Sequence, residues 1–293
     1  MTASLSSIPF MRRPNKFNTD AILKNLSDHP GHFVIGVIGK QGVDSNYFLY
    51  EGHKTDGIDM YITSERAILL DTEPILSWTV LDNVLRNGSL GGLHPDLWLE
   101  METIYNIIFL MSVCNTILVI TEGTEIDMDL LRFIQRAEAL KFNIPDFPLL
   151  TPSQYDMSYY PDIAIVCNKC LSSEFNWKKY VDTQTILKSF FEDSQLKTQG
   201  LLSLGNVLAS FKYSSNESNL FLLPLKGDEQ IESFDVLVAA LRDQILAGPR
   251  RPGKKGQLSE KEWYYNALKT FELIRKSDYI HEYLQIVRKL RDT

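Results

Sequence analysis

The sequence is short of cysteine, of positive charge and of uninterrupted hydrophobic runs. Its 293 residues include three cysteines, and no hydrophobic leader precedes Thr19, so we expect a protein of a reducing compartment, the cytoplasm. Thirty lysines and arginines against 37 acidic residues give a net charge of −7, which argues against a general nucleic-acid surface. Polar residues interrupt the longest apolar stretch, residues 104–120. This stretch favours a buried helix followed by a strand, and we expect no membrane partner.

Signatures of catalysis and of metal binding are missing as well. No Ser-His-Asp or Cys-His arrangement is evident in the sequence. Cys167 and Cys170 form a C-x-x-C pair, but a structural zinc site needs four ligands, and only Cys114 and scattered histidines remain. We therefore interpret the pair as a buried cysteine beside a loop cysteine, and expect neither a metal site nor redox chemistry.

The sequence does contain the opening of a nucleotide-binding domain. Residues 33–38 are apolar and rich in β-branched side chains, which predicts a strand buried in a parallel sheet. At the place of a phosphate-binding loop, G-x-x-x-x-G-K-[S/T], the chain has Gly39, Lys40, Gln41 and Gly42. The last three positions of that pattern carry Asp44, Ser45 and Asn46. Backbone N–H groups for an anion are kept, whereas the phosphate lysine and the magnesium hydroxyl are lost.

The following segment departs further from a working nucleotide site. The helix that should follow the loop is replaced by residues 46–50, which read as a strand. Thr55 and Asp71 stand where switch residues would hold magnesium, but without a hydroxyl at Asn46 we expect a structural role for them. Pro74 occupies the glycine position of a D-x-x-G loop, so sensing of a γ-phosphate through a glycine N–H is excluded.

A second candidate position lies at the end of a predicted strand, residues 162–167. Asn168 and Lys169 match the start of the guanine-selecting signature N/T-K-x-D, with Leu171 at the aspartate position. Ligands of open α/β sheets bind at this edge. We interpret the pair as the remnant of a site that bound the guanine base. The alternative, that the pair still binds the base, remains open.

Helix and strand patterns alternate along the rest of the chain, which predicts an α/β fold with a mainly parallel sheet. The predicted helices are 20–26, 76–85, 95–115, 128–141, 182–191 and 234–246, and the later strands are 116–120, 162–167 and 219–223. We expect a flexible N-terminal arm with a short helix (1–30), the α/β domain (31–248), a basic linker (249–258) and a C-terminal helical segment (259–293). Residues 143–160, rich in proline, predict an insertion loop.

The C-terminal segment opens with a capping box, Ser259 to Glu262, and is interrupted near Ser277. Five large side chains lie at helical spacings in it: Trp263, Tyr264, Tyr265, Phe271 and Ile274. Such a stripe indicates packing against a partner or against the domain core, and both interpretations remain open.

Five segments together resemble a known family: FVIGVIGKQG, TDGIDMYIT, ERAILLDTEPILS, YYPDIAIVCNK and EKEWYYNALKTFELIRKS. From Phe33 onward the chain is similar to the ninth Smg factors of nonsense-mediated mRNA decay, and LLDTEPILS is the most specific segment. The resemblance implies a G-domain-like fold of the P-loop NTPase type, related to dynamin, atlastin and the guanylate-binding proteins. Family members carry a fuller loop with G-K-S and the helix after it, whereas this chain passes from Val43 directly to a segment like the end of the first switch.

The resemblance also implies a function and partners. It implies a non-catalytic subunit of a protein kinase complex, paired with a second G-domain-like protein, the eighth Smg factor. It implies docking onto the large phosphatidylinositol-kinase-like kinase of the decay pathway. Whether GDP or GTP is bound as a cofactor is left open, and magnesium is not expected to accompany it. No direct contact with nucleic acid is expected. The alternative is a guanine-nucleotide hydrolase or switch of the dynamin-like class.

Overall fold

The computed structural model describes residues 7–13, 16–40, 55–88, 90–141, 144–145, 160–248 and 258–291. In these ranges the strands are β1 Ile8–Arg12, β2 Lys16–Phe17, β3 Phe33–Gly39, β4 Ile58–Ile62, β5 Ala67–Thr72, β6 Thr116–Glu122, β7 Asp162–Cys170 and β8 Leu220–Pro224. The helices are α1 Thr19–Asn25, α2 Trp78–Asn87, α3 Pro95–Val113, α4 Met128–Lys141, α5 Trp177–Phe190, α6 Phe234–Leu246, α7 Glu260–Arg275 and α8 Asp278–Arg291.

All eight strands belong to one sheet, in the order β2-β1-β4-β5-β3-β6-β7-β8. Strands β5, β3, β6, β7 and β8 are parallel, while β4 and β1 run antiparallel to their neighbours. The predicted α/β fold of the P-loop NTPase type, with helices at the C-terminus, is confirmed. Because β3, β5, β6 and β7 are parallel, their last residues meet at one side of the sheet, which we call the carboxyl edge.

Helix α3 lies against the centre of the sheet and forms the middle of the core. It contacts β3 on one side and α4 and α7 on others, so nearly every residue from Thr103 to Val113 is buried. The helix can approach β3 closely because position 36 is glycine. A Cβ atom there would lie 3.0 Å from the sulfur of Cys114 and 3.2 Å from the Leu110 side chain, and a larger residue would separate the helix from the sheet.

The connection from β3 to β4 begins and ends at the carboxyl edge. Gly39 is the last residue of β3, and Ile58 at the start of β4 pairs with Thr72 at the end of β5. One strand, β5, separates them, which corresponds to about 10 Å. Both ends of this connection therefore lie at the same edge of the sheet, and the residues between them, 41–54, lie outside the described residues. The strand predicted at 46–50 lies outside the described residues.

The N-terminal residues differ from the expected flexible arm. Strand β1 pairs antiparallel with β4 and extends the sheet, and Phe10 is fully buried. The ring of Phe10 lies 5.9 Å from that of Trp263 and 6.2 Å from that of Phe109. The residues around Phe10 show no clear hydrophobic period, but pairing with β4 satisfies their backbone groups, so tertiary contacts order a segment whose local sequence is uninformative.

The C-terminal helices complete the core. The Trp263 indole donates a hydrogen bond to the Val113 carbonyl oxygen, 3.0 Å away, and Phe271 packs on Phe109 with ring centres 5.5 Å apart. Tyr264 and Ile274 are buried in the same cluster, whereas Tyr265 is half exposed. Of the two interpretations of this aromatic stripe, core packing is therefore correct for all but Tyr265.

Several predicted element boundaries differ from the observed ones, and those of α5 and β7 differ most. Helix α5 begins at Trp177, earlier than predicted, because the Asn176 side chain caps it by accepting a hydrogen bond from the Lys179 N–H at 3.0 Å. Strand β7 continues to Cys170, so Asn168 and Lys169 lie within its last residues. In the described part of the chain, no helix combines the length and the apolar character needed to cross a membrane.

Candidate functional site

The carboxyl edge brings together most of the residues proposed from the sequence. Gly39 ends β3 and Lys40 follows it, Thr55 and Asp71 lie beside the end of β5, and Asn168 and Lys169 lie at the end of β7. Gln41 and Gly42, like the three altered loop positions 44–46, lie outside the described residues. The described side chains are all engaged with neighbouring protein groups, as the following contacts show.

Thr55 and Asp71 contact each other directly. The Thr55 hydroxyl donates to Oδ2 of Asp71 at 2.8 Å. Asp71 is also the cross-strand neighbour of Asp59, whose carboxylate pairs with Arg12 of β1. The hydroxyl and the carboxylate proposed as switch residues are thus adjacent, and the hydroxyl donates to the carboxylate.

Lys40 forms an ion pair with Asp127, which lies just before α4. Oδ1 of Asp127 also accepts hydrogen bonds from the N–H groups of Asp129 and Leu130, each at 3.0 Å, and so caps the helix. Partial burial opposes ionisation, but the contact with Lys40 and the two N–H groups lower the pKa of Asp127 below its usual value. The cation next to Gly39 therefore holds the β6–α4 loop.

Asn168 and Lys169 connect β7 to the end of β6. The Gly123 N–H donates to the Asn168 carbonyl oxygen at 2.7 Å, and the Asn168 side-chain oxygen accepts from the Lys169 N–H at 2.9 Å. Lys169 has φ +56°, unusual for a residue with a side chain. Its ammonium group is largely buried and lies 3.8 Å from Glu122. The pair occupies the position of a base-selecting signature, but its polar groups bind the adjacent backbone and Glu122.

Leu171, at the aspartate position of that signature, is half exposed. The carboxylate of Glu174, three residues later, binds the backbone of this position. Its Oε2 accepts from the Leu171 N–H at 2.9 Å, and its Oε1 lies 3.5 Å from the Thr124 hydroxyl. Glu174 thereby stabilises the turn after β7 and joins it to the loop after β6. Sequence reasoning missed this residue because its offset from Asn168 does not match the signature.

The segment after β5, within the most family-specific stretch, is held in place at the same edge. The Ile75 N–H donates to the Gly39 carbonyl oxygen at 3.0 Å, and the Ile75 side chain is buried. Ser77 caps α2 by accepting from the Val80 N–H. In a nucleotide switch this loop would rearrange, but here it is tied to β3 at one end and to a helix cap at the other.

Glu73, in the same segment, is buried and bound to the N-terminal strands. Its carboxylate accepts from Arg13 at 2.5 Å and from the Gly57 N–H at 2.9 Å. Burial raises the pKa of Glu73, and the charge of Arg13 opposes this shift. Arg13 also pairs with Asp56 at 2.8 Å. We call Arg13, Asp56, Gly57 and Glu73 the loop clamp, because they fix the post-β5 segment to Arg13, which follows β1, and to the residues that precede β4.

Removing one partner of the loop clamp should destabilise the protein. Arg13→Ala leaves the buried Glu73 carboxylate without its cation, and we expect a loss of about 3 kcal/mol in the free energy of unfolding at pH 7. The loss should shrink as the pH falls towards 5, because the folded variant would take up a proton on Glu73 more readily than the unfolded chain. Urea unfolding at both pH values measures this effect.

Two variants control that experiment. Arg86→Ala removes the exposed pair with Asp82 and should change stability by less than about 0.5 kcal/mol. The double variant Arg13→Met with Glu73→Met replaces the pair by apolar side chains and should recover most of the loss. Equal stability of Arg13→Ala and wild type at pH 7 would show that the clamp contributes nothing.

Both cysteines of the C-x-x-C pair lie in β7, so Cys170 is a strand residue and not the predicted loop cysteine. Cys167 and Cys170 are buried, and Cys170 donates to the Cys167 carbonyl oxygen at 3.2 Å. Burial raises the pKa of Cys167 to about 12 and that of Cys170 likewise upwards, so both thiols are protonated at neutral pH. Among the described residues, no group of three or more histidine, cysteine, aspartate or glutamate side chains could hold a metal ion.

Sequence reasoning also missed Asp127 and Arg13. Asp127 precedes a predicted helix, where an aspartate signals an N-cap, so the cap could have been recognised. Its contact with Lys40 could not, since nothing local joins the two residues. Arg13 lies in the segment interpreted as a flexible arm, and its partner Glu73 was noted only for the proline that follows it.

Comparison with known proteins gives a consistent result. No family model matches the chain. The chain is similar to "Nonsense-mediated mRNA decay factor SMG9" of Salmo salar, 29% identical over 327 positions that cover 91% of this chain and 65% of the relative. It is 28% and 27% identical to the proteins of the same name from Xenopus laevis and Xenopus tropicalis, each over 92% of this chain and 64% of the relative. Over most of its length this chain is similar to the SMG9 proteins.

The resemblance inferred from the five segments is thus confirmed. The chain spans 64 to 65% of the length of these SMG9 proteins. The 327 aligned positions exceed the 293 residues of this chain, so SMG9 of Salmo salar has residues without a counterpart here.

Proposed function

We propose that this chain is a non-catalytic regulatory subunit that acts in nonsense-mediated mRNA decay. Its relatives carry the name of a factor of that pathway. We further propose that it acts in the cytoplasm within a protein kinase complex, bound to the eighth Smg factor and docked on the large phosphatidylinositol-kinase-like kinase. It would do so as a protein scaffold rather than as a GTPase.

One observation carries the non-catalytic part of the proposal. The side chains at the carboxyl edge are committed to internal contacts: Lys40 to Asp127, Thr55 to Asp71, and Lys169 to Glu122. Phosphoryl transfer depends on cations and donors positioned at the phosphates. A nucleotide bound at this edge would have to break these contacts. The sequence lacks the lysine and the hydroxyl whose contacts with the nucleotide would compensate for that loss.

The post-β5 segment supports the same conclusion. A switch protein needs a loop with two arrangements of similar free energy, one for each nucleotide. Here the loop clamp and the hydrogen bond from Ile75 to Gly39 favour a single arrangement. A fixed loop suits a subunit whose surface is recognised constitutively by partners.

We expect negligible GTP hydrolysis by the purified chain. With neither a phosphate lysine nor a magnesium ligand in the loop, nearly all electrostatic stabilisation of the transition state is lost. A multiple-turnover phosphate-release assay with GTP and magnesium measures this, with Asp71→Ala as the control for a contaminating enzyme. Turnover by the wild type that disappears in Asp71→Ala would contradict the proposal and favour a dynamin-like hydrolase.

Any remaining nucleotide binding should be weak, guanine-preferring and largely independent of magnesium. Each charge-assisted contact that the loop has lost is worth roughly 1.5 to 3 kcal/mol, so the affinity should fall by one or more factors of ten relative to an intact site. Calorimetric titration with GDP, GTP and ADP, with and without magnesium, tests this expectation. Tight, magnesium-dependent binding of GTP would overturn it.

The partner proposal is tested by co-expression with the eighth Smg factor. We expect a complex of one copy of each chain in gel filtration with light scattering, and an unchanged complex when GDP or GTP is added. Failure to associate would contradict the partner, and association only with GTP would contradict the constitutive scaffold.

A further inference from the structure

The ion pair between Lys40 and Asp127 lies where the connections of the sheet change direction. Strand β3 leads to β4 and β5 on one side of it, whereas β6, its neighbour on the other side, leads through α4 to β7. Loops that leave adjacent parallel strands in opposite directions form a crevice, and in open α/β sheets ligands bind there. Lys40 follows β3 and Asp127 lies between β6 and α4, so their contact lies across this crevice.

The carboxylate of Asp127 makes the contacts that a bound anion would make. Its Oδ2 contacts the ammonium group of Lys40, and its Oδ1 accepts hydrogen bonds from the N–H groups of Asp129 and Leu130, each at 3.0 Å. A lysine ammonium and backbone N–H groups at the start of a helix are common partners of phosphate oxygens. The chain therefore places an anion of its own at the edge where an anionic ligand would bind.

The contact between Lys40 and Asp127 is accessible from solvent. The two side chains are 39% and 28% exposed, and ion pairs that water reaches are weak because solvent screens their attraction. Asp127 nevertheless opposes an anionic ligand in two ways. It neutralises the charge of Lys40, and its own negative charge repels the ligand.

We propose that Asp127 makes an autoinhibitory contact: it binds Lys40 and thereby opposes the binding of a diphosphate in the crevice between β3 and β6. The inference rests on the non-catalytic function proposed above and deepens it, because it names a residue that opposes the ligand. Lys40 is not the lysine of the phosphate-loop pattern, whose position carries Ser45. Removal of the Asp127 charge is therefore expected to increase the affinity for a diphosphate.

The variant Asp127→Asn in the full chain tests the proposal. Asparagine caps a helix as well as aspartate does, so the variant keeps the start of α4 while it loses the charge. Calorimetric titration without magnesium measures the affinity for inorganic pyrophosphate and for GDP. We expect Asp127→Asn to bind pyrophosphate at least about fivefold more tightly than the wild type, with a gain that weakens as salt rises. GDP carries the same diphosphate, so its gain should be similar.

Asp129→Asn is the matched control for this variant. Asp129 lies in the first turn of the same helix and pairs with Arg132 at 3.2 Å, so its substitution removes the same charge without releasing Lys40. We expect it to leave the affinity for pyrophosphate nearly unchanged. Lys40→Gln combined with Asp127→Asn should return the affinity to the wild-type value. Thermal melting of each variant establishes that the fold is retained.

Four outcomes would overturn the proposal. They are an unchanged affinity in Asp127→Asn, an equal gain in Asp129→Asn, a gain that persists when Lys40 is replaced, and a gain for GDP without one for pyrophosphate. The failure of this inference is distinct from that of the proposed function. Turnover of GTP by the wild type contradicts the non-catalytic function, whereas an unchanged affinity of Asp127→Asn for pyrophosphate contradicts the role of Asp127.

Discussion

A chain that ends before Ser259 should not fold to a native state. The deletion removes Trp263, Tyr264, Phe271 and Ile274, all buried in the core shared with the sheet. Burial of each such side chain is worth about 1.5 to 3 kcal/mol, so their sum is comparable with the total stability of a typical domain. The deletion would also expose Phe109 on α3. We expect loss of near-ultraviolet circular dichroism and of a cooperative melting transition.

Two point variants measure how much single side chains of α7 contribute to the free energy of unfolding. Trp263→Ala should cost about 3 to 5 kcal/mol, since it leaves a cavity and removes the hydrogen bond to the Val113 carbonyl oxygen. Tyr265→Ala, on the exposed side of α7, should cost less than about 1 kcal/mol. A truncated chain that melts cooperatively at the wild-type temperature would show that α7 and α8 are an independent appendage.

Gly57→Ala should be among the most destabilising single substitutions in the β1–β4 region, with an expected loss of about 2 to 5 kcal/mol in the free energy of unfolding. Gly57 has φ +80°, which strains a residue with a side chain by about 1 to 2 kcal/mol. A Cβ atom there would also lie 2.3 Å from the Met11 carbonyl oxygen. Backbone must then move, which displaces β1 from β4 and breaks the loop clamp, at a further cost of about 1 to 3 kcal/mol.

Gly91→Ala is the matched control for the Gly57 variant. Gly91 also has a positive φ, +60°, but a Cβ atom there would have no neighbour within 4 Å. Its substitution should therefore cost only the backbone strain, about 1 to 2 kcal/mol. Urea unfolding of both variants measures the difference, and equal losses would show that Met11 does not restrict position 57.

Some helices and strands could be predicted because a short stretch of sequence determines them. Helices α4 and α6 were predicted with their observed ends, because apolar residues recur at helical spacing along each of them. The buried strands β3, β6 and β7 were predicted because each is a short apolar run. Neither kind of signal depends on the rest of the chain.

The N-terminal strands and the loop clamp lacked such a signal. Strand β1 is ordered by pairing with β4 and by Phe10 packing against Trp263, which lies near the other end of the chain. Arg13 contacts Glu73 only because β1, β4 and β5 are neighbours in the sheet. Contacts of this kind join residues far apart in sequence, and a local pattern does not encode them.

The same distinction between sequence-local features and contacts between distant residues applies to the candidate site. The sequence by itself predicted which residues stand at the candidate nucleotide positions and to which proteins the chain is similar, and it has Asp44, Ser45 and Asn46 where a phosphate-binding loop has G-K-[S/T]. These features depend on residue identity and order. The tertiary structure alone decided where the charges go: Lys40 to Asp127, Lys169 to Glu122, and Glu73 to Arg13. The physical reason is that an ion pair depends on distance in space, and the parallel sheet brings the ends of distant strands to one edge.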